Sequence, residues 1–251
     1  NYSFKNNEVY NILVTGIGGT GVVTIGALIG MAAHIEKKGI TVLDQVGIAQ
    51  KGGAVLSHIK LAKDPSAIHS PQISDGTTNL LLGCDMVVSA SNEINKLLNN
   101  KKTNSIINDH EAPLSQSVLD PNYSYSGSLT KSLIKNKSIK TNFLNATELA
   151  KNLFGDTILS NIFLVGYAFQ KGLIPISVKA LKEAIKLNAI NIEENISAFS
   201  WGRLASEDIN HVLEKTRISD NSLNKKLPLS QLINKRYKEL IEYQDEKYAA
   251  K

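Results

Sequence analysis

A glycine-rich turn near the start of the chain carries the clearest chemical signal in the sequence. Residues 16–21 read GIGGTG, which places Gly16, Gly18 and Gly21 in the G-x-G-x-x-G register directly after an apolar run. Glycine permits a tight turn and lets backbone N–H groups approach an anion, and the N-terminus of a following helix adds partial positive charge. The turn therefore predicts a site for a phosphate-bearing ligand.

Asp44 stands about where the ribose-binding carboxylate of a dinucleotide site follows such a turn. On spacing alone, the first hypothesis is a dinucleotide site. The alternative is that the glycines only allow a helix and a strand to pack closely, and that Asp44 caps the next loop.

A second glycine-containing loop follows at residues 47–53 and includes Gln50, Lys51, Gly52 and Gly53. We expect both loops at the carboxyl ends of neighbouring strands, where open sheets bind ligands. Two N–H-rich loops with one lysine suit a polyanion such as a phosphate-bearing cofactor. They equally suit a loop that reaches into a partner subunit.

Apolar periodicity predicts the elements that position these loops. Strands are predicted at 10–15, 40–44, 54–62, 85–90 and 104–108, with helices at 20–37 and 92–100. This alternation predicts an α/β fold with a Rossmann-like, doubly wound, mostly parallel sheet. The stretch 109–140 is poorly patterned.

The C-terminal half is predicted to be helical. Asn145 and Glu148 have the spacing of a helix-start capping pair, and helices are predicted at 157–172, 177–190 and 192–204. Residues 216–228 are polar and resemble a linker, and a last helix is predicted over 229–250.

Composition excludes several classes of function. The 251 residues carry a formal net charge of +5 but include only three arginines, the residue that dominates nucleic-acid recognition, so no nucleic-acid partner is expected. The single cysteine, Cys84, lies in an apolar run and is expected to be buried. One thiol rules out an internal disulfide framework and an all-cysteine metal site in this chain, and makes the cytoplasm the natural location.

Two further patterns have an ordinary structural interpretation. No charged residue occurs from 12 to 35, but the glycines of the turn interrupt this stretch, so we expect a strand, a turn and a helix rather than a membrane span. The histidines show no spacing that suggests a metal site or a catalytic triad; they are His34, His58, His69, His110 and His211. No catalytic residue and no metal ligand is nominated.

Residues 16–62 resemble the gamma-type domain of 2-oxoacid:ferredoxin oxidoreductases, above all the fused indolepyruvate ferredoxin oxidoreductases. Segments 161–175, 184–203 and 243–249 each resemble parts of that subfamily. The resemblance implies a gamma-type domain over 1–205. It also implies that 206–251 is a linker and the start of a following, truncated helical domain, so that the chain is a piece of something longer.

The resemblance implies an accessory role. These enzymes oxidatively decarboxylate a 2-oxoacid with thiamine diphosphate, magnesium, iron–sulfur clusters and coenzyme A, and they reduce ferredoxin. Since the chain has neither a G-D-G…N diphosphate signature nor a cysteine quartet, those cofactors are expected on other domains. This chain is expected to complete the assembly and to help bind coenzyme A, alongside other domains or subunits of the same enzyme, with a homo-oligomeric full-length form. Ferredoxin would be met through the full enzyme.

The resemblance also suggests roles for individual residues. Gly16, Gly18, Gly19, Thr20 and Gly21 would form one anion-binding loop, and Gln50, Lys51, Gly52 and Gly53 the other, with Lys51 opposite a phosphate and Asp44 orienting the second loop. Asn161, Gln170, Trp201 and Arg203 are candidate contacts to a partner domain. Asn161 could instead cap or crosslink helices, and Trp201 could be a core anchor.

Two other functions stay open at this point. The glycine turn with Asp44 would also suit an NAD(P)- or flavin-dependent oxidoreductase. A non-catalytic scaffold domain, whose glycines serve packing alone, would bind no small molecule.

Overall fold

In the computed structural model, residues 4, 8–47, 53–111, 126–223, 233, 237–241 and 244–249 are described. Six strands form one sheet, in the order β2-β3-β1-β4-β5-β6. The strands are β1 (Val9–Ile17), β2 (Gly39–Val46), β3 (Ala54–Ala62), β4 (Leu80–Gly83), β5 (Asn104–Asn108) and β6 (Lys140–Leu144). The helices are α1 (Val22–Ile35), α2 (Met86–Ser89), α3 (Asn92–Leu97), α4 (Gly127–Asn136), α5 (Ala146–Phe154), α6 (Ser160–Gln170), α7 (Val178–Asn188), α8 (Ile192–Glu207), α9 (Ile209–Leu223) and α10 (Glu246–Ala249).

The sheet is mixed and mostly parallel, as predicted, with one of the described strands reversed. Strands β1, β4, β5 and β6 pair in parallel, whereas β3 runs antiparallel to both β1 and β2. The reason is local: β2 and β3 are consecutive strands of a hairpin, and the loop 47–53 connects them. The α/β class itself is confirmed.

Helices cover both faces of the sheet, as a doubly wound fold requires. On one face, Ile12 and Val14 of β1 are buried in a large core with α1 and the C-terminal helices. On the other face, Leu13 of the same strand is buried with Met86 and Ile94 from α2 and α3. Alternate side chains of a strand point to opposite faces, so a continuous apolar strand predicts this double burial.

Three sequence predictions need correction. The strand predicted over 85–90 is wrong: β4 ends at Gly83, and Asp85 accepts a hydrogen bond from the Val88 N–H (2.8 Å) and starts a short helix. The unpatterned stretch 109–140 contains α4, and β6 after it was not predicted. The linker predicted over 216–228 is helical as far as Leu223.

The other predicted elements are present with shifted ends. The Asn145 cap is confirmed, because its Oδ1 accepts a hydrogen bond from the Glu148 N–H (2.9 Å). The helix predicted over 229–250 falls partly outside the described residues. Val212 of α9 is fully buried in the main core, while the division of the chain at residue 205 stays a prediction. None of the described helices combines the length and hydrophobicity needed to cross a membrane.

Helices α6 and α8 cross in direct backbone contact. A Cβ at Gly202 would overlap the Phe163 carbonyl, and a Cβ at Gly166 would overlap the Phe199 carbonyl. Each helix therefore supplies a glycine where the other presents a phenylalanine backbone. The rings of Phe163 and Phe199 are fully buried beside this crossing, so the contact fixes α6 relative to the C-terminal helices.

Gly202→Ala is expected to lower the free energy of unfolding by about 3 kcal/mol, because overpacking against backbone cannot relax by rotation of a side chain. Urea denaturation measures the loss. Ser200→Ala, at an exposed position of the same helix, is the matched control and should stay close to the wild type. A Gly202→Ala protein as stable as that control would contradict the rigid crossing.

Candidate functional site

A crevice opens at the carboxyl ends of β1, β4 and β5. The helix after β1 covers one face of the sheet, and the helices after β4 cover the other. The chain therefore reverses its winding between two neighbouring parallel strands, which is where open α/β sheets bind ligands. A cavity of about 520 Å³ occupies this place. Its lining residues are Ile17, Gly19, Thr20, Cys84, Asp85, Asn108, His110, Thr147, Asp156, Thr157, Ile158, Ser160 and Asn161.

Different physical reasons require glycine at the different positions of the turn. Gly19 and Gly21 have φ of 86° and 88°, in the left-handed region that favours glycine. A Cβ at Gly16 would clash with the Val22 side chain, 2.5 Å away, so this glycine lets α1 approach β1. The packing alternative thus holds for Gly16, while Gly19 is open, with no atom within 4 Å of its ideal Cβ position.

The turn is tied to the base of the second loop. The Gly18 N–H donates to the Gly53 carbonyl (2.8 Å), and the Gly47 N–H donates to the Ala54 carbonyl (3.1 Å). The structure therefore brings the two predicted loops together at their described ends. The Gly18 N–H is occupied by this bond and not directed at a ligand. Gln50, Lys51 and Gly52 lie outside the described residues.

Two helix N-termini stand beside the cavity. Neither α1 nor α6 has a side-chain cap at its first turn. The two helix starts, at Gly21 and Ser160, are joined by one hydrogen bond between neighbouring residues. The Asn161 Nδ2 donates it to the Thr20 carbonyl (2.6 Å). The Ser160 N–H itself donates to the Thr157 carbonyl (3.1 Å). The partial positive charge at the two helix N-termini favours a negative group in the space between them.

Two carboxylates also line the cavity, and both already accept hydrogen bonds. Asp85 caps α2 as described above, and the Asp156 Oδ1 accepts from the Ile158 N–H (2.9 Å). On the opposite wall, Asn108 is buried and its Nδ2 donates to the Thr147 hydroxyl (2.8 Å) and the Cys84 carbonyl (3.2 Å). Among the described lining residues there is no lysine or arginine, so the described positive potential comes from backbone alone.

Cys84 is buried, as the sequence predicts, and it borders the cavity. Burial raises the pKa of the Cys84 thiol to about 12, and the neighbouring Asp85 carboxylate adds to the shift. The thiol therefore stays protonated at neutral pH and is a poor nucleophile.

His58 on β3 is another buried titratable group of the central strands. The His58 Nδ1 accepts a hydrogen bond from the Ile73 N–H (3.3 Å). Burial lowers the pKa of the His58 imidazole. His58 lies on β3, within the strand predicted over 54–62. No cluster of three or more potential metal ligands occurs within the described part of the chain.

Asp44 is not brought to the cavity. It lies on β2, two strands away from β1, and its Oδ1 lies 3.4 Å from the ideal Cβ position of Gly26 in α1. The ribose role of the dinucleotide hypothesis has no support from this placement. Its role in orienting the second loop stays a prediction.

The four candidate partner contacts do not all lie together. Asn161 is buried at the cavity, where it crosslinks α6 to the glycine turn. Gln170 and Arg203 lie elsewhere: the Arg203 Nε donates to the Gln170 Oε1 (2.9 Å), and the Gln170 Nε2 donates to the Glu207 Oε1 (3.0 Å). Trp201 is half-buried against the core. Their contact with a partner domain stays a prediction.

Sequence reasoning missed several residues of the cavity, namely Asp85, Asn108, His110, Thr147, Asp156 and Ser160. A signal existed for Asn108 and His110, which end or follow a predicted strand. Asp85 was hidden by the wrong strand over 85–90. Asp156 lies in the loop before α6 and Ser160 is the first residue of α6, so both join the site only through the packing of that helix.

This chain is similar to known proteins over most of its length. A family model described as "Pyruvate ferredoxin/flavodoxin oxidoreductase" matches residues 11–205. An indolepyruvate oxidoreductase subunit IorB from Thermococcus kodakarensis is 23% identical over 205 residues, covering 80% of this chain and 97% of that protein. The protein of the same name from Pyrococcus horikoshii is 25% identical over 205 residues, with 80% and 97% covered.

Solved structures share the fold. The gamma subunit of a keto/oxoacid ferredoxin oxidoreductase from Geobacter sulfurreducens has a TM-score of 0.54 at 21% identity, covering 79% of this chain and 98% of that one. A 2-oxoglutarate:ferredoxin oxidoreductase from Magnetococcus marinus, solved with 2-oxoglutarate, coenzyme A and succinyl-CoA bound, has a TM-score of 0.58 at 15% identity. The match covers 80% of this chain and 31% of that one.

The Cys84 thiol is expected to react with Ellman's reagent at least about 100-fold more slowly in the folded chain than in urea, since a pKa near 12 leaves little thiolate and burial blocks access. Release of the coloured thiolate measures the rate, and the chain's only cysteine makes the signal unambiguous. An added surface thiol, Ser200→Cys, should react quickly. A fast reaction of Cys84 in the folded wild type would contradict its protonated, buried state.

Proposed function

Because the chain belongs to the pyruvate ferredoxin/flavodoxin oxidoreductase family, we propose that it completes an enzyme that oxidatively decarboxylates arylpyruvates to acyl-CoA and reduces ferredoxin. The family match confirms the gamma-type resemblance of residues 16–62. The chain is accordingly a gamma-type accessory component of a 2-oxoacid:ferredoxin oxidoreductase. The arylpyruvate substrate, the coenzyme A contact and ferredoxin as electron acceptor are the proposed parts.

The arylpyruvate substrate is supported by the relatives. The curated proteins described above are named as indolepyruvate oxidoreductase subunits. Their similarity extends over four-fifths of this chain. An accessory component that is similar in sequence to those proteins would serve the same class of 2-oxoacid.

The coenzyme A contact is supported above all by the cavity at the winding reversal. A diphosphate would lie against the N–H groups of Gly19 and Gly21 and the open N-termini of α1 and α6, which suit an anion. Lys51, at the adjoining loop, would oppose a phosphate. The carboxylates of Asp85 and Asp156 accept backbone hydrogen bonds, which moderates their repulsion.

Bound coenzyme A supplies the thiol that accepts the acyl group. This chain's own residues bind and orient: the glycine turn holds the anion, and Asn161 holds the turn against α6. The chain's one thiol is kept protonated, so a protein thiol takes no part in our proposal. Thiamine diphosphate, magnesium and iron–sulfur clusters are assigned to other domains or subunits, since one cysteine cannot bind a cluster of the four-thiolate type. We place the enzyme in the cytoplasm.

Coenzyme A at about 100 times its dissociation constant is expected to raise the melting temperature by roughly 5–10 °C, because it stabilises the folded state by roughly 2.7 kcal/mol. Differential scanning fluorimetry with coenzyme A, NAD, NADP and FAD in parallel measures this. Asn161→Ala should reduce the coenzyme A shift by freeing the glycine turn. Asn188→Ala, a residue of the neighbouring pocket, should keep it.

Other patterns of shift would favour other functions. A shift with NAD or FAD and none with coenzyme A would revive a dinucleotide-dependent oxidoreductase. No shift with any ligand would favour the scaffold function.

The substrate proposal is tested on the assembled enzyme. With coenzyme A and an artificial electron acceptor, kcat/KM is expected to be at least about tenfold higher for indolepyruvate than for pyruvate or 2-oxoglutarate, since a pocket for an aromatic ring loses several contacts with the smaller acids. This chain without its partners should show no turnover. Turnover by this chain alone would overturn the accessory role.

A further inference from the structure

A second, smaller cleft of about 200 Å³ adjoins the cavity. Ile158 and Asn161 line both the cleft and the cavity. The rest of the cleft is lined by the first turns of α1, α6 and α8 and by the turn between α7 and α8, and none of its described lining residues is charged. All of them lie inside the two continuous described ranges 8–47 and 126–223.

The turn between α5 and α6, residues 155–159, holds an isoleucine out into solvent. The Asp156 Oδ1 accepts a hydrogen bond from the Ile158 N–H (2.9 Å), and the Thr157 carbonyl accepts one from the Ser160 N–H (3.1 Å). The backbone on both sides of Ile158 is therefore fixed. Its side chain is nevertheless 58% exposed.

The turn between α7 and α8, residues 189–191, does the same with a second isoleucine. Ala189 and Asn191 have φ of 57° and 43°, in the left-handed region that residues other than glycine rarely adopt. The Asn195 Nδ2 braces the turn by donating to the carbonyls of Ile190 (2.9 Å) and Asn191 (3.1 Å). Ile190 itself is 63% exposed, so the strain does not serve to bury it. Backbone strain that the surroundings maintain is concentrated at functional sites.

We propose that the component of the enzyme that holds thiamine diphosphate, either a subunit or a domain, docks on this cleft with Ile158 and Ile190 as the apolar anchors. The inference rests on the proposed function, because it requires coenzyme A in the neighbouring cavity. Transfer of the acyl group to coenzyme A requires the two cofactors to meet. The thiamine-bearing component therefore has to approach the mouth of the cavity, and the cleft shares a wall with that cavity.

The chemistry of the cleft fits a protein surface with an apolar patch. Single exposed apolar residues are ordinary on a protein surface, whereas grouped ones mark interaction sites. Here two braced isoleucines border one cleft, and the amides of Asn188 and Asn191 also line it. Apolar anchors within a polar rim are typical of protein–protein interfaces. A strongly charged partner would find no opposite charge in the described lining of the cleft.

The dissociation constant between the 251-residue chain and the thiamine-bearing component, produced as a separate polypeptide, tests the proposal. Ile190→Lys should raise this constant by at least about tenfold, because docking would bury a charge that has no partner. Ile158→Ser should raise it by at least about threefold through the lost apolar contact. Leu129→Lys in α4, at a 67% exposed position, is the matched control and should leave it unchanged. Sedimentation velocity measures the constant, and melting temperatures verify that each variant folds.

Photocrosslinking identifies the occupant directly. With p-benzoylphenylalanine in place of Ile190, the assembled enzyme should give a crosslink to the thiamine-bearing component, identified by mass spectrometry of the linked peptides. The same probe in place of Leu129 should give none to that component. A crosslink from position 190 to a second copy of this chain, or a dissociation constant that Ile190→Lys leaves unchanged, would overturn the docking surface.

The docking surface and the coenzyme A contact can fail separately. Ile190 lines the cleft and is not among the lining residues of the cavity, so Ile190→Lys should keep the coenzyme A shift of the isolated chain. A wild type without that shift would overturn the coenzyme A contact. Intact binding of the thiamine-bearing component by Ile190→Lys would overturn the docking surface alone.

Discussion

The backbone contact between α6 and α8 is the constraint on which the candidate site depends. Gly166 and Gly202 let the two helices approach until each glycine touches a phenylalanine backbone on the other. That approach fixes the position of the α6 N-terminus beside the cavity. In the sequence this helix starts only at Ser160, whereas β5, the last strand that ends at the cavity, ends at Asn108. Asn161, in the first turn of α6, can then donate to the Thr20 carbonyl. A looser helix crossing would leave the glycine turn without this bond.

The electrostatic potential of the cavity follows from which of the helices around it have a side-chain cap at the N-terminus. The turns before α1 and α6 leave their first N–H groups without side-chain caps, whereas α2 and α5 are capped by Asp85 and Asn145. Positive potential is therefore concentrated at two helix ends, and the two lining carboxylates accept hydrogen bonds from backbone N–H groups. A negative group suits such a cavity better than a free cation does.

The antiparallel hairpin of β2 and β3 explains both what the site contains and what it lacks. Inserting β3 next to β1 displaces β2 to the edge, so Asp44 ends two strands from the glycine turn. The same hairpin brings its connecting loop to the turn, where the Gly53 carbonyl accepts the Gly18 N–H. The position of β3 between β1 and β2 thus moves the carboxylate that would bind a ribose away from the glycine turn, and it brings a second loop to that turn. It also places β2 at one edge of the sheet.

The sequence by itself determined the α/β class, the glycine turn between β1 and α1, the buried state of Cys84 and the three long helices of the C-terminal half. These features depend on local periodicity, on glycine's access to positive φ, and on capping pairs such as Asn145 with Glu148, which neighbouring residues decide. Strand order, the antiparallel direction of β3 and the meeting of Asn161 with Thr20 were decided by the tertiary structure. They join residues more than a hundred positions apart, or choose between pairings that satisfy the same local pattern, and only the packing of helices on the complete sheet distinguishes them.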